Sequence, residues 1–176
     1  MKKILVVVDM QNDFVDGSLG TKEAVAIVPN VAKKIREFDG DEIFVTYDTH
    51  FENYMDTLEG KKLPVIHCID GSHGHELNDD VKKALSGRQY QEVIKAGFGS
   101  FSITRSLKDR FPGEEMEFEL MGLCTDVCVV SNAMIIRAGY PNAKITVYAS
   151  CCAGITPETH QAALKTMQCC QIDVVE

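Results

Sequence analysis

Tryptophan is absent from this chain, and no apolar run approaches the length of a membrane span. A spanning helix needs about 20 consecutive apolar residues, and the longest runs here, such as Ile4 to Val8, are far shorter. Membrane insertion is therefore not expected. Positive charge is also scarce. The 18 Lys and Arg residues are outnumbered by 26 Asp and Glu, the formal net charge is -8, and the basic residues are scattered. Nucleic-acid binding requires a concentrated basic face and is not expected either. There is no CxxC pair with zinc-ribbon spacing, no internal repeat, no low-complexity stretch and no linker rich in Pro or Gly. Met1-Lys2-Lys3 leads straight into an apolar run that Asp9 interrupts, which predicts a retained strand rather than a cleaved signal peptide.

What is present is the composition of a globular protein, with 45% hydrophobic and 25% charged residues. The length suits one domain over residues 1–176 with a sizeable core. Seven cysteines (Cys68, Cys124, Cys128, Cys151, Cys152, Cys169 and Cys170) form an odd set containing two neighbouring pairs. Neighbouring cysteines bridge poorly, so reduced thiols in a cytoplasm are expected rather than a disulfide framework.

Apolar runs rich in β-branched residues predict strands at Lys3 to Asp9, Glu42 to Tyr47, Glu92 to Lys95, Glu117 to Gly122 and Lys144 to Tyr148, with a short sixth at Ile172 to Val175. Their continuous hydrophobicity indicates a parallel sheet buried on both faces. Helical spacing over Ala24 to Phe38 aligns Val25, Val28, Val31, Ile35 and Phe38. A second helix is predicted over Asp126 to Ala138, capped by Thr125 and closed by Gly139. A third runs from Pro157 to Met167 behind Thr156. Alternation of strand and helix predicts an α/β fold, doubly wound, with helices on both faces of a mainly parallel sheet. The stretch His50 to His75 breaks the pattern. It carries four of the five histidines and little periodicity, which predicts a long functional loop.

In such sheets ligands bind beyond the carboxyl ends of strands. Asp9, Asp48, Lys95 and the segment Gly122 to Cys128 all fall at or just past such ends. Asp9 there reads as a turn-capping carboxylate or as a base. Lys95 reads as a solvated strand end or as a cation beside the glycine-rich Ala96 to Phe101 loop. Cys128 reads equally as a core cysteine or as a thiol near a helix start, where the dipole favours the thiolate. Asp48 and His50 lie two apart on an extended segment and point the same way. With His67 and the carboxylates Glu52, Asp56 and Glu59, they suggest a site for zinc, iron or manganese. His73 and His75 read as exposed loop residues, and His160 as a helix-face residue.

Taken together, Asp9-Met10-Gln11-Asn12-Asp13-Phe14, Tyr47-Asp48-Thr49-His50, Pro64-Val65-Ile66-His67-Cys68, Lys95 before Phe98-Gly99-Ser100-Phe101, and Gly122-Leu123-Cys124-Thr125-Asp126-Val127-Cys128 resemble the isochorismatase-like cysteine hydrolases, and within them the nicotinamidases. The resemblance implies a triad of Cys128, Asp9 and Lys95. It also implies an oxyanion hole on the backbone N–H groups of Cys124 and Cys128, and a cis peptide at Leu123-Cys124. It further implies one divalent transition metal on Asp48, His50 and His67, with Glu59 favoured over Asp56 as a further ligand. Many relatives place a tryptophan against the substrate ring. This chain has none, and Phe14, Phe98 or Tyr54 would replace it. The implied activity is ammonia release from a small amide, nicotinamide first, and a homo-oligomer is expected. Four alternatives stand beside that activity: an amidase for another small carbamoyl or ureido compound, a vinyl-ether hydrolase, which Cys128 disfavours, a catalytically idle binding module, and last a thiol-redox role for Cys151-Cys152 or Cys169-Cys170, which poor bridging between neighbours disfavours.

Overall fold

Four of the six strands are predominantly buried runs rich in Ile, Leu, Val and Phe, so each needs cover on both faces. The computed structural model, which describes residues 1–176, supplies it. Strands β1 (Lys2–Val8), β2 (Glu42–Asp48), β3 (Gln91–Lys95), β4 (Met116–Leu123), β5 (Lys144–Ala153) and β6 (Asp173–Val175) form one sheet in the order β3-β2-β1-β4-β5-β6, every pairing parallel. The order reverses between β1 and β4, the place where an open α/β sheet leaves a crevice at its carboxyl edge.

The helices are α1 (Asn12–Val15), α2 (Lys22–Glu37), α3 (Leu58–Lys62), α4 (Asp79–Leu85), α5 (Ser102–Arg110), α6 (Val130–Gly139) and α7 (Pro157–Cys169). α2 packs on α4 and β5, while α6 packs on α5 and α7. Thr21 caps α2 through its hydroxyl, and Thr156 caps α7 in a reciprocal capping box with Pro157 at the first position.

Several expectations are corrected. The His50 to His75 stretch is not structureless. A 3₁₀ turn at Tyr54–Asp56 leads into α3, which Thr57 caps; both pieces are too short to show a helical period. α1, α4 and α5, of 4, 7 and 9 residues, are likewise too short to show a helical period in the sequence. Val25 is exposed, and Ala24 and Ile27 take its place on the buried face of α2. Thr125 is not a cap. The chain after β4 makes a π-helical turn over Thr125–Val129, with extended Cys124 preceding it, and only then becomes α6. Gly139 lies inside α6, which Tyr140 ends. β5 runs on to Ala153, because a register shift opposite Leu120 and Gly122 bulges it and lets pairing resume at Cys152.

Candidate active site

The carboxyl ends of β1, β2, β3 and β4 deliver Asp9, Asp48, Lys95 and the Cys124–Cys128 turn to one place, and all four side chains named first or last here (Asp9, Asp48, Lys95, Cys128) are buried. Asp9 has a φ of 46°, a left-handed conformation that non-glycine residues adopt at a cost. That conformation turns its carboxylate toward its neighbours instead of along the strand. Its partner across the sheet must come very close: a Cβ on Gly122, at φ 122°, would lie 2.1 Å from the Val8 carbonyl oxygen. Glycine is thus required beside Asp9.

Lys95 Nζ lies 2.7 Å from Asp9 Oδ2, 3.2 Å from Asp48 Oδ1 and 3.5 Å from Cys128 Sγ. The Thr46 hydroxyl donates to Asp9 Oδ1 at 2.5 Å and accepts the Asp9 N–H at 3.1 Å. Burial pushes the Asp9 carboxyl up, against the pull of the Lys95 ammonium. Burial also pushes the Cys128 thiol well up, the Asp9 charge adds to it, and Lys95 opposes both. Burial alone would lower Lys95, but Asp9, then Cys128 and Asp48, hold it firmly protonated. Of the two environments the sequence left open for Cys128, the buried one has the larger effect on its thiol. Desolvation and a neighbouring carboxylate dominate it.

A second cluster adjoins the first through Asp48. One ligand atom each from Asp48, His50, Glu59 and His67 lies within 4.8 Å of the others. His50 Nε2 is 3.1 Å from Asp48 Oδ2 and 3.8 Å from Glu59 Oε1, and His67 Nε2 is 3.6 and 3.8 Å from the same atoms. Donors on a tetrahedral metal with bonds of about 2.0–2.1 Å stand roughly 3.3 Å apart, so the four atoms already have nearly that spacing. His67 Nδ1 pairs with the Val65 carbonyl at 2.8 Å, which leaves Nε2 facing the cluster. Two imidazoles and two carboxylates suit zinc, iron or manganese better than magnesium, and the residues present fit such an ion. Asp56 is exposed and outside the cluster, so Glu59 is the carboxylate brought in. Burial would raise Asp48, but hydrogen bonds from His50 and His67 and the Lys95 charge hold it below the usual carboxylate range.

Between the clusters lies a cavity of about 150 Å³. Its wall includes Phe14, Phe98, Val127 and Ile155, and Cys128, Asp48, Glu59 and His67 open onto it. Phe14 also packs edge-on against His67 at 5.5 Å. Tyr54 does not line this cavity; it is buried behind the cluster, against His50 at 4.6 Å and His67 at 5.0 Å. A dry cavity near 150 Å³ holds a single six-membered aromatic ring. The Leu123-Cys124 peptide is cis, as the resemblance implies.

Sequence reasoning passed over several residues that hold this arrangement. Gln11, fully buried, accepts the Asp48 N–H at 2.8 Å and donates to the Asp48 and His75 carbonyls at 2.9 Å. Thr46 was legible in principle, since it lies two residues before Asp48 and strand alternation puts both on one face. Asp126 accepts the Ile155 N–H at 3.0 and 3.1 Å, tying the loop after β5 to the turn. His160 contacts the Thr125 hydroxyl at 2.8 Å, and His75 is half-buried against Thr49 at 2.9 Å rather than exposed. No geometric signal in a single sequence reveals these long-range pairs.

Comparison with known proteins agrees with this geometry. The sequence profile described as the Isochorismatase domain matches residues 3–176. A nicotinamidase/pyrazinamidase from Bacillus subtilis superposes with a TM-score of 0.84 at 26% identity, over 100% of both chains. A pyrazinamidase/nicotinamidase from Streptococcus mutans gives 0.84 at 29% identity, over 98% of this chain and 99% of its own. A pyrazinamidase from Pyrococcus horikoshii, solved in complex with zinc, gives 0.81 at 25% identity, over 100% of this chain and 99% of its own.

Proposed function

Because the chain belongs to the isochorismatase family, whose domain covers residues 3–176, we propose that it is a cysteine amidohydrolase converting nicotinamide to nicotinate and ammonia. One observation carries this reading. A buried Cys128–Lys95–Asp9 cluster opens onto a cavity of about 150 Å³, sized for one aromatic ring and flanked by metal-ligand side chains. The nicotinamidase activities named for the B. subtilis and S. mutans structures support the same substrate.

In the proposed mechanism Asp9 removes the Cys128 proton as sulfur attacks the amide carbonyl carbon. The raised Asp9 makes it a stronger base for this thiol than an ordinary carboxylate. The backbone N–H groups of Cys124 and Cys128 face the developing oxyanion; the Cys124 N–H has no other partner in the chain. Asp9 then returns the proton to the leaving nitrogen, ammonia departs and a thioester remains. Water, deprotonated by Asp9, attacks that thioester and releases the carboxylic acid and the Cys128 thiol. Lys95 stays protonated throughout and holds Asp9 in place. Phe14 and Phe98 would flank the ring. Asp48, His50, Glu59 and His67 would hold a divalent transition metal, zinc first, which would supply Lewis-acid chemistry beside the ring.

The reading extends to setting. Seven free thiols fit a reducing cytoplasm. We also propose a homo-oligomer, for which the exposed Phe51, Leu58, Ile66 and Phe101 are candidate contact residues. Ammonia release from a panel of nicotinamide, pyrazinamide and small carbamoyl and ureido compounds tests the function. Turnover of nicotinamide is expected. Activity confined to the carbamoyl or ureido members would replace the substrate, and none at all would favour a binding module.

A further inference from the structure

Asn132 stands one helical turn beyond Cys128 on α6, with its side chain buried. It takes no part in the proposed chemistry, yet its amide is bonded to the main chain of two functional segments. Nδ2 donates to the Cys128 carbonyl at 2.9 Å and to the Phe98 carbonyl at 3.3 Å. Oδ1 accepts the Ser100 N–H at 3.0 Å. The loop between β3 and α5, which starts directly after Lys95, is thereby fastened on both sides of Gly99. Gly99 fits closely here, since an added Cβ would lie 2.6 Å from Ile135 Cδ1 and 3.2 Å from Ser131. Ser100 is itself buried, and its hydroxyl accepts the Ser102 N–H at the start of α5.

Phe98, in contrast, is half exposed at the cavity wall, and its side chain makes no aromatic stack within the protein. What holds its backbone is the Asn132 amide. Only an amide fits this role, because two carbonyl oxygens require a donor while the Ser100 N–H requires an acceptor. A carboxylate would face two carbonyls, and an aliphatic side chain would remove all three hydrogen bonds.

We propose that Asn132 is a positioning residue that sets substrate affinity by holding Phe98 against the cavity. The proposal rests on the reading of that cavity as the ring site, and it makes Asn132 a determinant of KM more than of kcat. Asp9 and Lys95 sit at the ends of separate strands and Cys128 in the turn after β4, so none of the three lies on the loop that Asn132 fastens.

The test is a double-mutant cycle between Asn132→Leu and Phe98→Ala, with nicotinamide as substrate. Each single variant is expected to raise KM about tenfold with kcat within about threefold of the parent. The double variant should resemble Phe98→Ala alone, because the amide has nothing left to position. Multiplying effects on KM, or a kcat loss at constant KM, would overturn the proposal. Asn132→Ser, too short to reach the loop, replaces Asn132→Leu should the latter fail to fold, and the same outcomes apply to it. A second readout needs no substrate. At a temperature well below the variant's own thermal midpoint, chymotrypsin should cut after Phe98 or Phe101 at least severalfold faster in the Asn132 variant. Unchanged cleavage in a folded variant would also overturn it. If the parent protein releases no ammonia from nicotinamide, the functional reading falls, and loop cleavage still decides whether Asn132 braces the loop.

Discussion

Removing the Cys128 sulfur takes one atom from a buried site that Val129 and Leu123 help to pack. Cys128→Ala should cost about 1 kcal/mol in stability and lower turnover by roughly 10⁴-fold or more. Ammonia release and a thermal melt on the same preparation check the two expectations, and substantial residual activity would remove Cys128 as nucleophile. Asp9→Asn should lower kcat by about 10²–10⁴-fold, the usual contribution of a positioned base. Lys95→Met should lose a comparable factor, since it leaves the Asp9 and Asp48 carboxylates buried without their shared cation. The double variant should be hardly worse than either single one, because groups acting as a unit fail together. Rate losses that multiply would mean independent roles.

At the scale of elements, the strand ends and the short α3 divide the work. β2 ends on Asp48, which touches Lys95 with one oxygen and the two histidines with the other. α3 exists to carry Glu59 inward, and Thr57 starts it by accepting the Gly60 N–H at 3.0 Å. His50→Ala should leave the β-sheet and the Cys128 environment intact while stripping the metal, because His50 belongs only to the second cluster. Elemental analysis of protein purified without added metal should show about one divalent ion per parent chain and a tenfold or greater loss in the variant. Alkylation of Cys128 should proceed at a similar rate in both. Equal metal content in the two proteins, or none in either after supplementation, would leave a metal-free amidase.

For the molecule as a whole, stability carries a pH dependence that originates far from the cavity. Glu119 on β4 is buried between Lys34 at 2.8 Å and Lys3 at 3.3 Å. Burial pushes its carboxyl up, but the hydrogen bond and charge of Lys34, and then Lys3, outweigh it and hold it below its ordinary 4.5. A group depressed in the folded state stabilises the fold above its unfolded value and loses that contribution as pH falls through the folded value. Glu119→Gln should therefore cost roughly 1–3 kcal/mol at pH 7. The gap between variant and parent should close progressively below the ordinary value of 4.5. Denaturant melts at pH 7 and in the acid range check the sign. A gap that widened in acid would contradict the assignment of Lys34 and Lys3 as partners.

The sequence by itself determined the strands, the parallel sheet and the rim on which Asp9, Asp48, Lys95 and Cys128 meet. Continuous runs of Val, Ile and Leu can only be buried on both faces, and strand ends in such a sheet share one edge. It also narrowed the metal ligands to His50, His67 and one loop carboxylate. Tertiary structure alone decided the rest. It gave the physical reason for Glu59 over Asp56, since α3 carries Glu59 into the cluster while Asp56, in the turn before it, stays in water. It moved Tyr54 from the ring wall to the back of the imidazoles. It also decided between the two environments open to Cys128, raising the thiol by burial. A local pattern registers a helix terminus, but the electrostatics of a buried site follow from desolvation and from charges brought within a few ångströms by residues far apart in the chain.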